Sequence, residues 1–345
     1  MRRLKHLDFL WDVLLLACTS FGGPQVHFAL FLDRLVKKRE YVTEAELFEI
    51  QALCSVLPGP TSTQMITAIG LKRGGASLAY LTLFCWITPA VLIMTLAAYG
   101  MTFLRNPSIL QYVLPVGIGL ILQAGWFMAK KVITGPKYVI ILLVTLFLGI
   151  AFHSPYIFPI VLVLGGVVSS FNYKDFPRQT KHKFVIPWAN FHLYWGFLVF
   201  LAVLGHFTDY FPIRLFENFY RNGSLVFGGG HILAPVLYTE FVEFKQLISS
   251  EAFLTGMALS QTLPGPVFAF TSYLGVLLMK DYGLQGELAG SLIGALGIFL
   301  PGTFLIFFVF RIWGQLKQYR FIRASLAGIQ AASVGLTLVA VFTFT

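Results

Sequence analysis

Phe21-Gly22-Gly23-Pro24, and then Leu57-Pro58-Gly59-Pro60 with Thr61-Ser62-Thr63-Gln64 directly after it, are the stretches on which the reading of this chain turns. Both return 206 positions later (21 to 227, 57 to 263), as Phe227-Gly228-Gly229-Gly230 and Leu263-Pro264-Gly265-Pro266. Residues 21–60 align with 227–266 without a gap, and 10 of those 40 positions are identical. Downstream, Pro89 in the third segment matches Pro301. Two Gly/Pro motifs at one offset, each inside an apolar run, mark a duplicated unit.

The apolar runs set the fold class. Of 345 residues, 57% are hydrophobic and only 12% charged, and the mean hydropathy is +0.76. A soluble domain carries about 25% charge, so an ordinary cytosolic enzyme and a disordered chain are both excluded. A helix needs roughly 20 apolar residues to cross a bilayer. The runs are continuous rather than alternating, which speaks against a β-barrel. The expected class is all-α: a polytopic integral membrane protein with Gly/Pro-broken helices. Its net charge of +10 fits basic cytoplasmic loops, and no nucleic-acid-binding pattern competes with that. Cys18, Cys54 and Cys85 lie in apolar runs without metal-ligand spacing, so neither a metal nor a disulfide framework is expected.

The first unit, 1–171, holds a segment at 9–39 broken by Phe-Gly-Gly-Pro and one at 44–71 broken by Pro-Gly-Pro. Apolar helices follow near 75–103, 108–129, 137–153 and 155–171. Residues 172–212 read as a charged linker plus an extra transmembrane helix near 191–207. The second unit, 213–345, has broken segments near 213–244 and 250–279 and helices near 286–312 and 322–343. It lacks counterparts of the fifth and sixth helices and reads as C-terminally shortened.

Loop charge tests the topology. If each broken segment enters and leaves on one side as a re-entrant hairpin, 20 of the 25 Lys and Arg fall on the cytoplasmic side; if each spans, 17 do. The positive-inside rule favours the hairpin. In both versions the second unit starts on the side opposite to the first, which gives an inverted repeat, as in many secondary transporters.

Gly and Pro inside an apolar run release backbone groups that lipid cannot satisfy, so such breaks sit where protein or a water-filled cavity covers them. Each Pro-Gly-Pro stops one half-helix and starts another. A helix start offers free N–H groups and about half a positive charge, which favours an anion. A plain kink or tight helix packing is the competing explanation; duplication and the hydroxyls after Pro60 favour binding. The candidate residues are Gly22, Gly23, Gln25 and His27, with Pro58, Gly59, Pro60, Thr61, Ser62, Thr63 and Gln64, in the first unit. In the second they are Gly228, Gly229, His231, Gln261, Pro264, Gly265 and Pro266. The copies differ: Thr61-Ser62-Thr63-Gln64 becomes Val267-Phe268-Ala269-Phe270, so one composite site is expected. His27 and His231 are read either as histidines satisfied by a carbonyl or as proton carriers or anion donors. Arg34 and Asp33 read as solvated charges at a helix end, and Glu240 and Glu243 as interfacial. No hydrolase, Walker or metal-site motif is present, so an enzyme is not expected.

Phe21-Gly22-Gly23-Pro24 followed by Leu57-Pro58-Gly59-Pro60-Thr61-Ser62-Thr63-Gln64 resembles the chromate ion transporter family, whose long members carry two homologous domains. The resemblance covers about 1–171 and 213–343. It implies an inner-membrane carrier that exports chromate, gives chromate resistance, and accepts sulfate as an isostere. It implies no cofactor. The expected partners are the small oxyanion, the lipid bilayer and a second copy of the chain. A sulfate carrier, a passive anion channel and a membrane enzyme acting on a phosphorylated lipid remain as alternatives. Gly230 in place of Pro24 and the missing last two helices depart from the family pattern.

Overall fold

The computed structural model describes residues 2–21, 23–54, 57–103, 132–152, 157–173, 188–208, 210–226, 230–316 and 319–344, with a few scattered positions between 119 and 130. The described residues are helical and contain no strand. The helix expected at 108–129 and most of the charged linker at 172–190 lie outside them.

The first half runs α1 (Arg2–Thr19), α2 (Gly23–Phe31) continued by a π-helical turn (Leu32–Lys38), α3 (Glu44–Cys54) and α4 (Thr61–Phe103). Then come α5 (Pro136–Ala151), α6 (Ile157–Ser170) and α7 (Trp188–Thr208). The second half runs α8 (Phe211–Leu225), α9 (Gly230–Tyr238) with its own π-helical turn (Thr239–Phe244), and α10 (Ser250–Thr262). A short 3-10 turn (Val267–Ala269) leads into α11 (Phe270–Leu278), followed by α12 (Gly283–Leu316) and α13 (Arg320–Phe344).

The two halves repeat one another in backbone detail. Both π-turns follow the glycine-started helix. Glu40 and Gln246, at the 206-residue offset, both have φ of 51°. Gly59 and Gly265 take φ of 114° and 104°, and Gly75 and Gly283 take 75° and 67°. Gly74 and Gly75 break α4 into two parts, so its first part corresponds to α11 and its second to α12. At the four glycine positions the absent Cβ removes the penalty of a positive φ.

Local chemistry fixes the helix ends. Thr43 and Glu46 cap α3 reciprocally, with Thr43 N–H to Glu46 Oε2 at 3.0 Å and Glu46 N–H to Thr43 Oγ1 at 3.3 Å, a capping box. Ser249 Oγ accepts the Ala252 amide at 3.3 Å at the matching start of α10. The core lies along α4, α11 and α12. Thr95 and Ser291 share a hydrogen bond of 2.6 Å across the halves, and Tyr80 meets Phe307 edge-on at 5.0 Å. The stretches Thr61–Gly100 and Lys280–Trp313 are long and apolar enough to cross a bilayer.

Two buried carboxylates anchor clusters of charged and polar groups. Asp12 is fully buried and accepts Arg34 Nη2 at 2.5 Å, Arg39 Nε at 2.9 Å and the Tyr41 hydroxyl at 2.7 Å. Glu240, 2% exposed, accepts Arg221 Nη2 at 2.5 Å, Lys245 Nζ at 2.6 Å and Asn222 Nδ2 at 2.6 Å. Arg34 is therefore a structural group rather than the solvated charge expected at a helix end, and Glu240, expected near the interface, is held in a buried cluster. A burying neighbour 22 residues away supplies the reason in the first case. Asp33 behaves as expected, in an exposed pair with Lys38.

Candidate functional site

The corners carry out the stop-and-start that Pro-Gly-Pro imposes. In the first, Gln64 N–H to the Pro60 carbonyl, 2.9 Å, is the first helical bond of α4. The amides of Thr61, Ser62 and Thr63 thus lie ahead of the helical ladder. In the second, Ala269 N–H reaches the Pro266 carbonyl at 2.9 Å, and Val267 and Phe268 lead the turn. Gly59 N–H donates to the Val226 carbonyl at 2.6 Å, and Gly265 N–H donates to the Ser20 carbonyl at 2.8 Å. Val226 is the repeat counterpart of Ser20. Each corner is thus bonded to the other half in the same way, the reciprocity of an isologous two-fold contact.

Between the corners lies a small, partly enclosed cavity lined by Gly23, Pro24, His27, Pro60, Thr61, Ser62, Pro266, Val267 and Phe268. Three helix starts converge there: α2 at Gly23, α4 at Thr61 and the α11 turn at Val267. About 10 Å³ is open to the centre of a water-sized sphere, roughly the room for one water. No Lys or Arg is among the described lining residues.

His27 is fully buried, and neither ring nitrogen has a hydrogen-bond partner among the described residues. The Ser20 backbone lies beside the ring, without forming a bond of acceptable geometry to it. The ring meets Trp86 edge-on at 5.3 Å. Thr61 and Ser62 are buried, at 8% and 4% exposure, and line the cavity.

The structure divides the sequence candidates. Gly23, His27, Pro60, Thr61, Ser62 and Pro266 come together at the cavity. Thr63 and Gln64 are turned to structural work: Thr63 Oγ1 accepts Trp86 Nε1 at 3.2 Å, and Gln64 Nε2 donates to the Pro58 carbonyl at 2.7 Å. Pro58, Gly59, Pro264 and Gly265 shape the corners from behind. Gln261 does not line the cavity, and its Nε2 is buried without a partner. Gly22, Gly228 and Gly229 lie outside the described residues, as do the side chains of Gln25 and His231. Val267 and Phe268 were not among the candidates. Their signal was present, since they stand at the offset of Thr61 and Ser62.

The Chromate transporter family model matches residues 7–170 and 213–345, the two halves that these corners join. The chain belongs to the chromate transporter family. This family is membrane-integral, and the chain is a transporter of that kind. It is 27% identical to a probable chromate transport protein of Synechococcus elongatus, over 83% of this chain and 71% of the relative. It is 25% identical to the chromate transport protein of Cupriavidus metallidurans, over 93% and 78%. An uncharacterized transporter of Methanocaldococcus jannaschii is 24% identical over 98% and 84%. No solved structure matches. The gap between the two matched regions, 171–212, contains α7.

Proposed function

We propose that the protein is a secondary carrier that exports chromate across the cytoplasmic membrane and thereby gives chromate resistance, with sulfate as an alternative substrate. The observation that carries this reading is the meeting of three helix starts, drawn from both halves, at one buried cavity that also holds His27, Thr61 and Ser62. Each start contributes about half a positive charge. Amides and hydroxyls together suit a tetrahedral oxyanion better than a cation or an apolar solute.

The units 1–171 and 213–345 are inverted repeats about an axis in the membrane plane, with the broken segments at 9–39, 44–71, 213–244 and 250–279 as re-entrant hairpins. The 206-residue pairing of backbone conformations and the reciprocal corner bonds support this arrangement. A cavity of only one-water size favours a carrier over an open channel. An oxyanion is larger than a water, so the corners must part to admit it, as alternating access requires.

A dianion leaving a cell with a negative interior gains about 4.6 kcal/mol per 100 mV, at about 2.3 per charge. Outward movement is favoured by the potential alone. The test is radiolabelled chromate and sulfate flux in proteoliposomes under an imposed potential. Saturable flux with counter-transport supports the carrier. Flux that never saturates supports a channel, and no flux of either anion removes the proposal.

A further inference from the structure

The charge balance of the cavity points to a coupling ion. Resting on the oxyanion reading above, we infer that His27 takes up a proton when the anion binds, so each dianion crosses the membrane with one proton. The positive groups available to a bound dianion are few. Three helix starts supply roughly 1.5 charges in sum, and no described Lys or Arg lines the cavity. Among the described lining residues, His27 is the side chain that can become cationic near neutral pH; the side chain of His231 lies outside them. His27 is fully buried and both nitrogens lack partners among the described residues; beyond the Ser20 backbone beside it, no described lining residue carries a negative charge to compensate one on the ring.

Other titratable groups on the elements packed against α2 are engaged elsewhere or are not cationic. On the π-turn, Asp33 pairs with Lys38 and Arg34 with Asp12, and Lys37 is exposed. On α4, Lys72 pairs with Glu46, and Arg73 donates to the Tyr41 carbonyl and lies over its ring. The tyrosines Tyr80 and Tyr99 and the thiol Cys85 cannot supply positive charge. The α11 turn presents Val267 and Phe268 to the cavity.

The empty site therefore keeps His27 neutral, because a buried uncompensated cation is costly. The occupied site keeps it protonated, because a dianion beside it reverses that preference. The proton is picked up on the side where the anion enters and is released where it leaves. One net negative charge moves per cycle instead of two.

Calorimetric titration of the purified full-length protein with sulfate and with chromate, in two buffers of different ionisation heat, reads the protons taken up per anion. The solution pH is held where the free anion is fully deprotonated. The wild type should take up about one proton per anion, and H27Q should bind at least tenfold more weakly with no uptake. Binding by the wild type without proton uptake overturns the inference and leaves oxyanion transport standing. Undiminished uptake in folded H27Q also overturns it. Failure of the wild type to bind either anion removes the transport reading itself. Should H27Q not fold, wild-type proteoliposomes decide alone: one charge per chromate supports the inference, and two charges contradict it.

Discussion

The Gly59 amide donates to the Val226 carbonyl at 2.6 Å, and its repeat counterpart, Gly265, donates to the Ser20 carbonyl at 2.8 Å. Each half thus closes the corner of the other. The bonds use backbone groups that a Pro-Gly-Pro break leaves without a helical partner, and they join the residues that precede α2 and α9 to the ends of α10 and α3. The cavity lies at this junction, so whatever parts the corners also opens it.

A side chain at either glycine should be poorly tolerated. At Gly265, with φ of 104°, an added Cβ would approach Ala90 Cβ to 2.7 Å. At Gly59, with φ of 114°, it would meet the flexible Gln64 amide at 3.1 Å and Gly302 Cα at 3.2 Å. G265A should lower stability by about 1–3 kcal/mol from backbone strain alone, with the steric clash added, and G59A by less. Thermal unfolding of the detergent-purified variants checks the order.

Neighbouring polar residues after Pro60 should separate into two classes. T61V and S62A should weaken oxyanion affinity while leaving the unfolding temperature close to that of the wild type. T63V strips the Trp86 indole N–H of its acceptor, which costs about 1–3 kcal/mol when the donor stays buried. Its main effect should be on stability. Paired binding and unfolding measurements distinguish the classes.

The repeat offset maps Asp12 onto Asn218, Arg34 onto Glu240 and Arg39 onto Lys245. The carboxylate thus sits on α1 in the first half and on the π-turn in the second, while the third position stays cationic. R34E should be strongly destabilising, because it sets a second carboxylate beside buried Asp12. D12N/R34E recreates the second-half arrangement and should recover part of the loss. Arg221 and Asn222, which also hold Glu240, stand opposite Leu15 and Leu16, so recovery should be incomplete. A double-mutant cycle on unfolding free energy should give a favourable coupling of at least about 1 kcal/mol; additivity would refute the correspondence.

What the sequence revealed followed how far each constraint reaches. Pro58-Gly59-Pro60 and Pro264-Gly265-Pro266 were legible because proline and glycine restrict the backbone at their own positions. The family assignment rested on the same motifs. Thr63 and Gln64 were misjudged because four successive polar residues on a helix point in different directions. Only Thr61 and Ser62 face the cavity, and the acceptors and donors that engage the other two include Trp86, far along α4. The Asp12 cluster was missed because Arg34 finds its partner across the bend of a broken segment. Phe268 was passed over because an apolar residue at a binding site leaves no signature of its own beyond its place in the repeat.

The central claim is that oxyanion binds between the corners. X-ray diffraction from crystals grown with chromate, recorded at the chromium absorption edge, locates the anion directly. The account predicts an anomalous peak bounded by His27, Thr61, Ser62 and the Pro266–Phe268 turn, with the walls displaced outward to make room. A peak instead in the wider cavity beside Arg214, Glu217 and Lys245, with the corner cavity still closed, would contradict it.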